Sequence, residues 1–117
     1  MNVEIRFRTL DPSNALREHA SDVARRRLDR FRHKVESVVV RVVDVNGPRG
    51  GLDKVCQVSV HGVLGTTALR EQGSDAYVVV ARAIERLAAA LGREDARRRS
   101  HAPSLTTRRS LATRRSA

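Results

Sequence analysis

Between a segment whose apolar residues alternate, Val3-Glu4-Ile5-Arg6-Phe7-Arg8, and a valine-rich one from Ser37 to Val45 lies a stretch with a different period. There Leu16, Ala20, Val23, Ala24, Leu28, Phe31 and Val35 recur at three- and four-residue steps, one apolar stripe of a helix running to about residue 34. The flanking alternation is that of half-buried strands. Asp11-Pro12 supplies the helix start, with the aspartate placed to cap and proline tolerated in the first turn. A helix between two strands excludes a tight hairpin, so the two strands are predicted to be parallel neighbours joined by a right-handed crossover.

The rest of the chain is punctuated just as clearly. Asn46-Gly47-Pro48-Arg49-Gly50-Gly51 is turn chemistry, after which Cys56, Val58 and Val60 resume the two-residue period. A second break at Gly62 to Gly65 leads to a short strand around Thr66 to Gln72, poor enough in apolar residues to suit an edge. Gly73-Ser74-Asp75 then opens a second helix whose stripe is Tyr77, Val80, Ala81, Ile84, Leu87, Ala88 and Leu91, with Gly92 expected to end it. The prediction is an α+β fold of order βαβββα, a four-stranded mixed sheet with two helices packed on one face. The later pairs are antiparallel. The valines of the second strand point to both faces, so the uncovered face is expected to be partly apolar or set against a partner.

Charge divides the chain in two. Residues 93–117 hold eight arginines against Glu94 and Asp95, and the whole chain of 117 residues carries a formal +10. From Arg93 the composition is Arg, Ser, Thr and Ala, too poor in large apolar residues to offset chain ordering, so a disordered Arg-rich tail is expected at 93–117 after a single folded domain at 1–92. Within it Leu105-Thr-Thr-Arg-Arg-Ser110 is nearly repeated by Leu111-Ala-Thr-Arg-Arg-Ser116, two copies being too few for a solenoid. Such a basic chain seeks polyanions. With Phe7, Phe31 and Tyr77 as its only aromatics, it would meet nucleic acid through the backbone rather than by base stacking.

Other classes are disfavoured on the same reading. One cysteine allows no internal disulfide, and its parity with Val58 and Val60 makes Cys56 a small core residue. His19, His33, His61 and His101 lack metal-ligand spacing, so no metal or other cofactor is expected. Ser59 and His61 share a strand face without a third partner, and no hydrolase is expected. Glu4, Arg6 and Arg8 interrupt any apolar leader, and no run is long enough for a membrane span; a cytoplasmic protein with no membrane partner is expected.

The element order, the segment Ala15-Leu16-Arg17-Glu18 in the first helix, and Asp75-Ala76-Tyr77 followed by the Ile84 stripe together resemble the ribosome hibernation promoting factor and ribosome-associated inhibitor A family, over roughly residues 1 to 92. Asp44-Val-Asn-Gly-Pro-Arg-Gly-Gly-Leu-Asp-Lys-Val-Cys56 is similar to a hairpin of a short-form branch. The resemblance implies binding to the ribosomal small subunit and its rRNA in the channel otherwise used by mRNA and tRNA, with translation stalled, no catalysis and no small-molecule substrate. It places the RNA-binding positions on Arg25, Arg26, Arg30 and Arg32 of the first helix and on Arg82 and Arg86 of the second; Arg93, the one basic residue left after them, and Arg49 of the hairpin turn are read from the sequence itself as further phosphate contacts. Where relatives continue the second helix with basic residues, this chain has Ala88, Ala89 and Ala90, and its tail stands where long forms carry a dimerisation domain.

Each arginine also has a plainer role. Arg25 and Arg26 lie within one turn of Asp22, and Arg32 within one turn of Asp29, so intrahelical ion pairs could occupy them. Gly47-Pro48-Arg49-Gly50 has the GxxG form of an RNA-clamping loop, but here it would join strands, as any tight turn does. A double-stranded RNA-binding module would want a basic start to the second helix, where this chain has Ser74-Asp75-Ala76-Tyr77. A protein-binding adaptor using the open sheet face is the other alternative.

Overall fold

A computed structural model describes residues 1–8, 14–45 and 54–101. The elements are β1 (Asn2–Arg8), α1 (Asn14–Leu28), a 3-10 turn (Asp29–Phe31), β2 (Val35–Asp44), β3 (Lys54–Gly62), β4 (Gly65–Gly73) and α2 (Ala76–His101). The sheet order is β1-β2-β3-β4, with β1 parallel to β2 and the other two pairs antiparallel. The predicted mixed sheet and its edge strand at β4 are therefore present. The expected helix start at Asp11-Pro12 and the turn at 46–51 lie outside the described residues.

Register explains the core. Phe7, Val42, Cys56 and Glu71 form one rung across the sheet, and Ile5, Val40, Val58 and Leu69 the next of the same parity. Val38, Val40, Val42, Cys56, Val58 and Val60 of this face are buried together with Leu28 and Phe31 and with Val80, Ile84, Leu87 and Leu91 of α2. Both helices cover this one face, α1 beside β1 and α2 over β3 and β4, and they touch each other. Full burial of each such aliphatic chain is worth roughly 1.5–3 kcal/mol, so two amphipathic stripes and one alternating face suffice to define the fold.

Four local expectations are corrected. The first helix does not run to residue 34: it tightens to the 3-10 turn, where Arg32 N donates to Asp29 O at 3.0 Å and Lys34 N to Phe31 O at 2.8 Å. Val35, counted in the helical stripe, is instead the buried first residue of β2, as suits a β-branched side chain. Tyr77 is 41% exposed, and Val79 takes the core position instead.

Finally, Gly92 does not end α2. The space that a Cβ would occupy there is closely bounded by Arg30 Nη2 at 3.1 Å, so this glycine serves close approach of α1's end, and the helix passes through it. Residues 93–101, assigned by sequence to the tail, form helical turns anchored to the domain, whereas 102–117 lie outside the described residues.

The helix start at Asp75 is as expected: its carboxylate accepts from Tyr77 N at 2.9 Å, and its carbonyl accepts from Val79 N at 2.9 Å.

Candidate nucleic-acid interface

The outward surface of the helical layer is where the arginines gather. On α1, Arg25, Arg26 and Arg27 are consecutive and exposed, and Arg30 and Arg32 follow in and after the 3-10 turn rather than in the helix itself. On α2, Arg82, Arg86 and Arg93 fall within about 40° of one another at roughly 100° per residue. Arg97 continues that stripe, and all four are exposed. Arg49 lies outside the described residues.

A groove runs between the helices, lined by Arg26, Arg27 and Arg30 on one side and by Glu85, Ala88 and Ala89 on the other. The alanines that interrupt the basic run of α2 thus form the low wall of a cleft whose charge comes from the facing helix. Arg27 Nη2 donates to Glu85 Oε2 at 3.1 Å across the groove, tying the helices together. Arg30 lies over the Phe31 ring at 4.6 Å from its centroid, so its guanidinium is held by a cation–π contact with its edge left for other partners.

The carboxylates nearby decide how much of this charge is available. Arg26 Nε pairs with Asp22 at 3.0 Å and Arg32 Nη1 with Asp29 at 3.2 Å, so two of the anticipated intrahelical pairs exist, while Arg25 makes no ion pair among the described residues. Arg82 and Arg86 both meet Glu71 of β4, Arg82 at 3.7 Å and Arg86 by a direct hydrogen bond. Arg93 makes no ion pair among the described residues. Exposed pairs of this kind are worth about 0.2–1 kcal/mol and are screened by salt, so a phosphate can displace most of them.

Sequence reasoning missed Arg27, Glu71 and the last turns of α2. A four-residue step from Arg93 to Arg97 was the available signal for the extended stripe, hidden by reading Gly92 as a stop. Past Gly92, Lys34 Nζ donates to Asp95 Oδ1 at 2.6 Å, Arg99 Nη1 donates to Asp95 Oδ2 at 2.9 Å, and Arg98 Nη1 donates to the Val63 carbonyl at 3.1 Å. Glu94 is hydrogen-bonded by Arg97 and Arg98, which lower its pKa from 4.5 to about 2. The Lys34 hydrogen bond likewise lowers the pKa of Asp95.

Cys56 is fully buried on the inner sheet face, and desolvation, with the Glu71 charge beside it, pushes its thiol up to about 12. It is a core residue and not a nucleophile at neutral pH. Among the described residues no helix is long and apolar enough to cross a membrane.

Comparison with known proteins agrees with the geometry. The model of the family described as Sigma 54 modulation protein / S30EA ribosomal protein matches residues 3–99. No curated protein matches the chain. Among solved structures it is similar to a ribosomal subunit interface protein from Coxiella burnetii, with a TM-score of 0.70 and 21% identity over 82% of this chain and 99% of that one. It is also similar to the N-terminal domain of Protein Y from Thermus thermophilus, with a TM-score of 0.66 and 23% identity over 80% of this chain and 98% of that one. At these identities the likeness is one of fold.

Proposed function

This chain belongs to the Sigma 54 modulation protein / S30EA ribosomal protein family, the family of ribosome hibernation factors, and on that premise we propose that it binds small-subunit rRNA in the channel used by mRNA and tRNA and so halts translation. The observation that supports this reading is the exposure of Arg25, Arg26, Arg30, Arg32, Arg82, Arg86 and Arg93 on the helical layer, with Arg26 and Arg30 lining the groove between α1 and α2. Arginine forks suit phosphate oxygens, and a surface without aromatic platforms suits backbone and shape recognition of a folded RNA. Arg49 is proposed as an additional contact from the hairpin loop. The proposal places the protein in the cytoplasm, with occlusion as its whole mechanism and no bond made or broken.

The test is sedimentation of a cell lysate in a sucrose gradient, followed by chemical footprinting of the rRNA in the fraction that carries the protein. Co-migration with small subunits and protection of rRNA lining the mRNA path are expected. Migration in a slow, ribosome-free complex would favour an adaptor, and protection of rRNA remote from the channel would overturn the proposed site.

A further inference from the structure

The sheet face turned away from both helices carries a second basic feature. Register sets Arg6 opposite Arg41, Arg41 opposite Gln57, and Gln57 opposite Arg70, so one rung crosses all four strands. The neighbouring rungs, Phe7-Val42-Cys56-Glu71 and Ile5-Val40-Val58-Leu69, face the helices, and the strand pleat therefore sends the arginine rung outward. With strands roughly 4.8 Å apart, this rung extends over about 14 Å.

Like charges opposite each other in a sheet repel, so the Arg6–Arg41 pair does not exist for strand stability. Glu4 offsets part of the charge: Arg6 Nε donates to it at 2.7 Å, and that hydrogen bond, with smaller help from the Arg41 charge, lowers the Glu4 pKa. Arg41 and Arg70 make no salt bridge among the described residues. Arg8 adds a further charge on the next outward rung, with Val43, Val55 and Gln72. No Phe, Tyr or Trp lies on this face among the described residues, and its one imidazole, His61, sits two rungs away beside Thr66, so the arginine rung offers guanidinium and amide donors without a stacking platform of its own.

We propose that this open sheet face is a second RNA-backbone contact, on the side of the domain opposite the helical surface, with Arg41 and Arg70 as its principal phosphate ligands. The occupant that matches a flat, extended line of donors is a phosphate chain laid across the strands. An anionic membrane would want apolar residues to insert, and Val39 and Val43 are only half-buried members of the sheet surface. The inference goes beyond the ribosomal reading and does not depend on it, because a sequence-independent backbone contact shows itself on any RNA strand.

The test is a salt series of the full chain binding fluorescein-labelled poly(U), with phosphatidylserine vesicles as the second probe. Arg41→Gln with Arg70→Gln is expected to flatten the plot of log affinity against log salt by roughly 1.4, two phosphates at about 0.7 each for a single strand. Gln57, in the same rung, shows that glutamine is accommodated there. Arg41→Lys with Arg70→Lys should keep the wild-type slope. An unchanged slope in the glutamine pair, an equal loss in the lysine pair, or loss of vesicle binding alone would each overturn the proposal. Failure of Arg82→Gln with Arg86→Gln to alter ribosome binding would count against the helical surface and leave this one standing.

Discussion

Glu71, on the edge strand β4, accepts a hydrogen bond from Arg86, on the helix that covers that strand. The same carboxylate lies 3.7 Å from Arg82, so one largely buried acid competes with RNA for both arginines of the clearest basic stripe on α2. Glu71→Gln should therefore tighten binding to purified small subunits, by about two- to thirtyfold at low salt if each of the two released pairs is worth roughly 0.2–1 kcal/mol. Arg82→Gln with Arg86→Gln should weaken it. Neutral replacements are the cleaner probe, because Glu at either position would set a second carboxylate against Glu71. Co-pelleting across a salt series measures both effects, and unchanged binding in both variants would remove these arginines from the contact surface.

How much of this was legible in the sequence depended on whether the deciding contacts were local. Val3, Ile5 and Phe7 announced β1 by alternation, Gly73-Ser74-Asp75 announced the opening of α2, and the stripe through Ile84 and Leu87 announced the face α2 buries. These are properties of a few consecutive residues. Glu71 could not be matched to Arg82 and Arg86 in advance, because only strand register and helix packing bring β4 under that stripe. Gly92 misled for a related reason: a glycine near a helix end reads as a stop, whereas here it admits the Arg30 guanidinium from another element. The rung of Arg6, Arg41, Gln57 and Arg70 was invisible for want of register alone.

The turn before β2 gives a sharper stability test. A Cβ on Gly62 would lie 2.2 Å from Lys34 O and 2.9 Å from both Glu36 N and Val35 Cα, all backbone atoms. Nothing there can swing aside, and the strand pair already shifts register between Val35 and Ser37. Gly62→Ala should cost about 1–3 kcal/mol, as overpacking does, and lower Tm by roughly 4–8 °C per kcal/mol in a domain of this size. Thermal unfolding followed by circular dichroism checks it; an unaltered Tm would mean that this turn relaxes freely.

Acid should loosen the far end of α2. Glu94 is held near a pKa of about 2 instead of 4.5, first by Arg97 and then by Arg98, and Asp95 is lowered by Lys34. Carboxylates with depressed values contribute stability that is fully present above their ordinary pKa and is lost as pH falls through the folded one, here between about 4.5 and 2. Solvent exposure keeps the effect modest. Glu94→Gln with Asp95→Asn should have a lower Tm than wild type at pH 7 and a shallower decline across that window. Parallel declines would show that these pairs do not stabilise the helix end.

Two truncations separate the helix end from the arginines that follow it. Ending the chain after Gly92 removes the Asp95 carboxylate from Lys34 and the Arg98 guanidinium from the Val63 carbonyl, and it leaves the buried Leu91 beside a fraying terminus. Ending it after His101 keeps those contacts and deletes Arg108, Arg109, Arg114 and Arg115. The first truncation should lower Tm by several degrees and the second should leave it unchanged. For RNA binding, each phosphate neutralised contributes roughly 0.7 to 0.9 to the slope of log affinity against log salt, so the second truncation should flatten that slope by up to about 3.6. Charge of this kind supplies affinity without choosing a position, so footprints of the full chain and the His101 truncation on the small subunit should coincide at low salt. An unaltered slope would make residues 102–117 spectators, and a displaced footprint would move site selection from the folded domain to that segment.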